Sequence, residues 1–138
     1  MKNSRGHSFV TLMIVIAVFA LSLRIAIEQV MMVTISQNES SAAATLKLIS
    51  TALENFAKDT TGRYPATIDA LTKGTPIYLE KDYLLLSPIK GYMFTCPRLE
   101  TSGYMCTAIP LKCRVTGKNM FTITTGGSLS SDDCSKKE

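Results

Sequence analysis

The chain has 138 residues, enough for one domain, with 15 basic and 11 acidic side chains and a formal charge of +4. Lys2, Arg5, Lys136 and Lys137 supply much of that charge, and without residues 1–6 the side-chain balance falls to +2. No basic stretch interleaves with aromatics, so the composition argues against a nucleic-acid-binding module, and an apolar N-terminal run leaves too short a globular part for an elaborate active site.

Residues 1–7 carry two cations and no anion. Residues 9–23 are free of charge, with Thr11 and Ser22 the only polar side chains, and Arg24 interrupts before Ile25, Ala26, Ile27 and Glu28. At ~1.5 Å per residue the uncharged run is roughly 22 Å long, and it approaches a hydrocarbon core of ~30 Å once residues 25–27 are added. That extension needs Arg24 to snorkel or to pair with Glu28 one turn on. The preceding cations favour a cytoplasmic start.

Three readings fit such an N-terminus. A secretory signal peptide would use Ala20-Leu21-Ser22 as its cleavage region. A signal anchor would stay uncut, and a prepilin would lose only a short basic leader. The pattern beyond residue 28 favours the third. Val30, Met31, Val33 and Ile35 continue a helical pattern, and after the polar patch at 36–41 the spacing of Leu46, Ile49, Leu53 and Phe56 marks one buried stripe. Gly62 supplies a helix stop and Pro65 prevents resumption. One helix over residues 8–61 is expected, half in lipid and half packed on a domain.

In the next segment Thr67 is expected to cap a one- to two-turn helix through Thr72. Residues 75–91 contain Pro76, Pro88 and Lys90-Gly91 and read as a loop with a short helical turn. Strands are expected over residues 92–96, 104–109 and 120–124, with Gly126-Gly127 closing the last. The fold class is therefore α+β, a long N-terminal helix packed on a small antiparallel sheet. The divisions are a leader at 1–6, a membrane-crossing assembly segment at 7–35, an amphipathic half at 36–62, a head at 63–131 and a polar, mobile tail at 132–138.

Cys96, Cys106, Cys113 and Cys134 all follow this export-type N-terminus. A zinc site would normally show a C-x2–4-C knuckle, which is missing, so a disulfide framework outside the cytoplasm is expected. Three pairings are possible. Cys96 and Cys106 flank a plausible hairpin turn, which leaves Cys113 with Cys134.

The sole histidine is His7, so no internal Ser-His or Cys-His pair is available and no catalytic residue is assigned. Asp82 and Asp132-Asp133 lack an EF-hand spacing and read as solvated acids rather than a calcium site, so neither metal nor cofactor is expected. Asn38-Glu39-Ser40 matches a glycosylation sequon but sits mid-helix and reads as chance. Met31-Met32 reads as helix packing.

Arg5-Gly6-His7-Ser8-Phe9-Val10-Thr11, followed by Leu12-Met13-Ile14-Val15-Ile16-Ala17, resembles the N-terminus of type IV pilins and type II secretion pseudopilins. Residues 38–52, and 52–65 ending in Gly62-Arg63-Tyr64-Pro65, look like later parts of the pilin helix, and residues 91–95 and 103–110 look like pilin sheet strands. The resemblance implies cleavage by prepilin peptidase between Gly6 and His7 and methylation of the new amine. It implies an inner-membrane, single-pass subunit with a periplasmic head and other pilin subunits as partners. Phe9, Thr11, Leu12, Ile14, Ile16, Arg24 and Glu28 would belong to the assembly helix. The family has glutamate where Thr11 stands, phenylalanine at His7 and often a helix-bending proline at Glu28. Thr11 cannot neutralise a neighbouring subunit's ammonium, which suits a minor subunit at a filament tip. An exported periplasmic binding or regulatory domain, held by an anchor or released by signal peptidase, is the alternative. DNA capture would need a basic face on the folded head.

Overall fold

A computed structural model describes residues 5–136 of the chain, with side chains from Ser8 onward. Helix α1 (Arg5–Asp59) is followed by α2 (Asp69–Thr72), then by strands β1 (Tyr92–Glu100), β2 (Gly103–Pro110), β3 (Asn119–Thr124) and β4 (Ser128–Asp133), and a closing 3₁₀ turn (Cys134–Lys136). The chain divides into two compact units, Met1–Thr34 and Ile35–Glu138. Among the described residues the first is helix from Arg5; the second, the head, holds the core.

The α+β class follows from how the second half of α1 is patterned. Leu46, Ile49 and Leu53 are fully buried at helical spacing, with Ala42, Ala52 and Ala57 beside them and Phe56 partly covered. The sheet is an antiparallel meander in the order β1-β2-β3-β4. Its inward residues alternate along each strand: Tyr92 and Phe94 from β1, Tyr104, Cys106 and Ala108 from β2, and Ile123 from β3 join the helix stripe in one core. Leu71 and Leu79 close it from the connection between helix and sheet.

The helix stops by backbone geometry. Gly62 N–H donates to the Ala57 carbonyl at 2.7 Å across a left-handed Thr61 (φ 58°), and Gly62 also has positive φ (83°). This is a Schellman closure in which Thr61 takes the position usually given to glycine. The helix therefore ends at Asp59, two residues before the expected boundary.

Three other expectations are corrected. Helix α2 is a single turn whose N-cap is Ile68, with no side-chain cap, so Thr67 contributes only its carbonyl, which accepts from Ala70 N–H at 3.3 Å. Strand β1 continues past Cys96 through Pro97 to Glu100. It lies at the sheet edge, where a missing N–H is tolerated, and its register shifts between Thr95 and Arg98 as a β-bulge. Residues 128–133 form a fourth strand rather than a loop and tail; β4 pairs with β3 from Thr124↔Ser128 to Asn119↔Asp133. The head thus extends to Lys136, into the segment expected to be a mobile tail, and Cys134 is bridged.

The disulfides are Cys96–Cys106 and Cys113–Cys134, the pairing suggested by the hairpin. The first crosses between β1 and β2 at the bulge. The second ties the β2–β3 loop to the 3₁₀ turn.

Candidate functional site

The most distinctive surface is the apolar part of α1. Its large hydrophobic side chains from Phe9 to Val33 are each 47–66% exposed. An 18-residue window reaches a mean hydropathy of 2.6 with none of it buried within the chain. A helix apolar on every side is a helix whose solvent is hydrocarbon or other apolar helices. It is long and apolar enough to cross a membrane.

Its polar groups are handled locally. Ser22 Oγ donates to the Val18 carbonyl at 2.8 Å, and Thr34 Oγ1 to Val30 at 2.9 Å, so these hydroxyls are hydrogen-bonded within the helix. Arg24 Nε lies 4.0 Å from Glu28 Oε1, the one-turn pair anticipated from the sequence, with both side chains largely exposed. Phe9, Thr11, Leu12, Ile14 and Ile16 are all exposed on this helix, and Ser8, Thr11, Leu12 and Val15 line an open groove along it. Met31 and Met32, read from sequence as helix packing, are both exposed. The processing position between Gly6 and His7 lies outside the residues whose side chains are described.

Within the head, two carboxylates on α1 hold the sheet and its loops. Glu39 Oε1 accepts from the backbone N–H groups of Lys118 (2.7 Å) and Asn119 (3.1 Å), and Asn38 Nδ2 donates to the Thr116 carbonyl at 3.1 Å. Glu54 Oε1 accepts from Gly126 N–H at 2.8 Å and from the Tyr104 hydroxyl at 2.9 Å, and Tyr64 donates to both its oxygens at 3.1–3.2 Å. Ser50 Oγ shares a 2.7 Å hydrogen bond with the Tyr104 hydroxyl.

These contacts perturb the phenols. Burial is the main cause that pushes Tyr104 up to about 12; the Glu54 carboxylate adds to it, and the hydrogen bond to Ser50 opposes it. Burial likewise raises Tyr92 far above its ordinary value, with Glu39 adding a like-charge penalty on ionisation. Tyr92 donates to the Asn119 carbonyl at 2.7 Å, and a Cβ at Gly117 would collide with its ring.

Neither Glu39 nor Glu54 was singled out from sequence. A signal for Glu54 existed: Ser50 and Glu54 flank the stripe one turn apart, so an acid there must face the sheet's rim rather than open water. Asn38 and Glu39 lie in the polar patch at 36–41, where they also form part of the sequon read as chance.

Asp82, weighed for calcium, spends Oδ1 on the N–H groups of Leu84 (2.9 Å) and Leu85 (3.1 Å), fixing the turn in the 75–91 loop. Asp133 accepts from the Ser135 hydroxyl (2.6 Å) and amide (2.8 Å), which together hold its carboxyl below the usual range. Cys113, Asp133 and Cys134 bring ligand-type atoms within 4.8 Å, but both sulfurs are joined in the disulfide.

Comparison with known proteins found no matching family model, no matching curated protein and no matching solved structure.

Proposed function

We propose that this chain is a non-enzymatic, membrane-anchored subunit of a pilin-like filament, either a type IV pilus or a type II secretion pseudopilus. The observation that carries the reading is helix α1 itself. Its first part is apolar on all sides and its second part is the spine of a small disulfide-bonded α+β head. Such a helix serves two environments in turn, lipid before assembly and neighbouring apolar helices afterwards. Hydrocarbon tolerates it because every interior backbone group is satisfied within the helix.

On this reading prepilin peptidase removes residues 1–6, the head faces the periplasm, and subunits pack laterally through residues 9–33. Thr11 in place of a carboxylate removes a buried charge worth roughly 2.5–3.5 kcal/mol of insertion penalty, and with it a docking charge for the next subunit. That fits a minor subunit. Its test is Thr11→Glu followed for filament incorporation, and unchanged incorporation would refute the docking argument.

Intact mass of the protein from membranes tests the main reading. Loss of residues 1–6 with one added methyl is expected. A chain beginning at Leu23 would mean a secreted domain, and an uncut chain would mean a signal anchor; either result overturns the filament assignment.

A further inference from the structure

We propose that the loop at residues 111–118 docks the head onto a membrane surface by binding anionic phospholipid headgroups. The proposal rests on the membrane-anchored reading above.

The loop alternates cations with exposed aliphatics. Lys112, Arg114 and Lys118 are exposed, and Leu111 and Val115 are 50% and 53% exposed between them. Leu111 N–H donates to the Gly91 carbonyl at 2.9 Å, which brings the exposed Lys90 alongside. The Cys113–Cys134 disulfide adds Lys136 from the 3₁₀ turn. The ion pairs among the described residues are Arg24–Glu28, Lys73–Asp69 and Arg98–Glu100, so none of these five cations is engaged in one. Facing acids are Asp132, Asp133 and Glu39. Asp133 feels the charges of Arg114 and Lys136, and Glu39 is occupied by backbone amides. A positive excess remains. Cations interleaved with aliphatics, without aromatics, suit a lipid interface better than nucleic-acid bases.

The loop is also built rigidly, and at a defined place on the head. Arg114 N–H donates to Gly117 (2.7 Å) and Thr116 N–H to Lys112 (2.9 Å), closing a tight turn. Asn38 and Glu39 grip its far side through Thr116, Lys118 and Asn119. Glu54, by contrast, holds the β3–β4 turn fifteen residues further along the helix, ~22 Å away by helical rise. The basic loop therefore lies at the Asn38–Glu39 end of the head, away from the β3–β4 turn.

The chain has no tryptophan, so Val115→Trp at an exposed position gives a single reporter in the full-length protein. Leu85→Trp, 80% exposed in the 75–91 loop, is the control. Each protein is reconstituted with its head outside vesicles of brominated phosphatidylcholine, with or without phosphatidylglycerol. Quenching and a blue shift are expected for Val115→Trp in the anionic vesicles alone, and not for Leu85→Trp. Each cation near an anionic surface is worth roughly a fivefold gain in occupancy. Adding Lys112→Gln and Arg114→Gln should then lower the docked-to-undocked ratio roughly 25-fold. Equal quenching with and without anionic lipid, or at both reporter positions, would overturn the proposal. Flotation of the same samples separates the two failures. A chain that floats with vesicles while Val115→Trp stays unquenched overturns only the loop's role, whereas a chain that does not float overturns the anchor and the loop together.

Discussion

Glu54 offers the sharpest test of how the head is held together. Its carboxylate receives the Gly126 amide, the Tyr104 hydroxyl and the Tyr64 hydroxyl, so it joins α1 to β2, to the β3–β4 turn and to the segment after the helix. Hydrogen bonds to a charged group contribute ~1.5–3 kcal/mol each, which would suggest a large loss if all three simply vanished in Glu54→Ala. They do not simply vanish. Gly126 is exposed and its amide can turn to water, and Tyr64 is half-buried. Tyr104 is 2% exposed but keeps Ser50 as a partner at 2.7 Å. No donor is left orphaned, so the loss is expected at about 2–3 kcal/mol. For a head of this size that lowers the thermal midpoint by about 10–20 °C. Glu54→Gln keeps an acceptor and should cost about half as much. The measurement is thermal unfolding in detergent by near-ultraviolet circular dichroism, combined with Tyr104→Phe in a double-mutant cycle. A coupling of about 1–2 kcal/mol is expected between the two residues. A Glu54→Ala midpoint within a degree or two of the parent, or no coupling to Tyr104, would refute the account of Glu54 as a clamp.

The other predictions concern packing, cross-linking and pH. Leu53→Ala, at a fully buried position, should destabilise the head by about 2–5 kcal/mol, whereas Leu48→Ala on the exposed side should stay within about 0.5 kcal/mol in the same melt. Replacing Cys113 and Cys134 by serine releases a cross-link spanning 21 residues and should cost about 3 kcal/mol of unfolding free energy. Tyr104 titrates near 10 when unfolded and about 12 when folded, so its contribution is complete below pH 10 and is lost as pH rises toward and through 12. Tyrosinate absorbance should follow loss of structure in that window, and Tyr104→Phe should shift the alkaline midpoint upward; an unchanged midpoint would show that Tyr104 does not govern the transition.

How much of this was legible depended on which physical signal each element carries. The stripe Leu46, Ile49, Leu53 and Phe56 is periodic and apolar, so the helix and its buried face could be read directly. Strands β1 to β3 each carry apolar or aromatic residues at alternate positions. Strand β4, Ser-Leu-Ser-Ser-Asp-Asp, has one apolar side chain, Leu129, and forms because β3 offers an edge and Gly126-Gly127 supply positive φ at the turn. Local composition could not reveal pairing that a neighbour imposes. Pro97 misled in the opposite sense, because the cost of a proline in a strand disappears at an edge bulge. Of the candidate site, the apolar run was legible from hydropathy. The clamps at Glu39 and Glu54 were not, since their partners are backbone amides distant in sequence by 79 and 72 residues.

The polar patch at 36–41 gains a different meaning from those clamps. By sequence it is a polar interruption between two apolar stretches of one helix. In the structure α1 runs through it, and Asn38 and Glu39 bind the loop that carries Cys113. A helix passing from an apolar solvent to an aqueous one needs side chains that favour water and still make tertiary contacts. Short amides and carboxylates do both, because one oxygen can bind backbone N–H groups while the rest of the residue stays wet. The patch is therefore where α1 begins to organise the folded head. Glu39→Ala should accordingly loosen residues 116–119 to hydrogen exchange and leave the protection of residues 92–96 unchanged. Uniform loss of protection across the sheet would instead make Glu39 part of the global core.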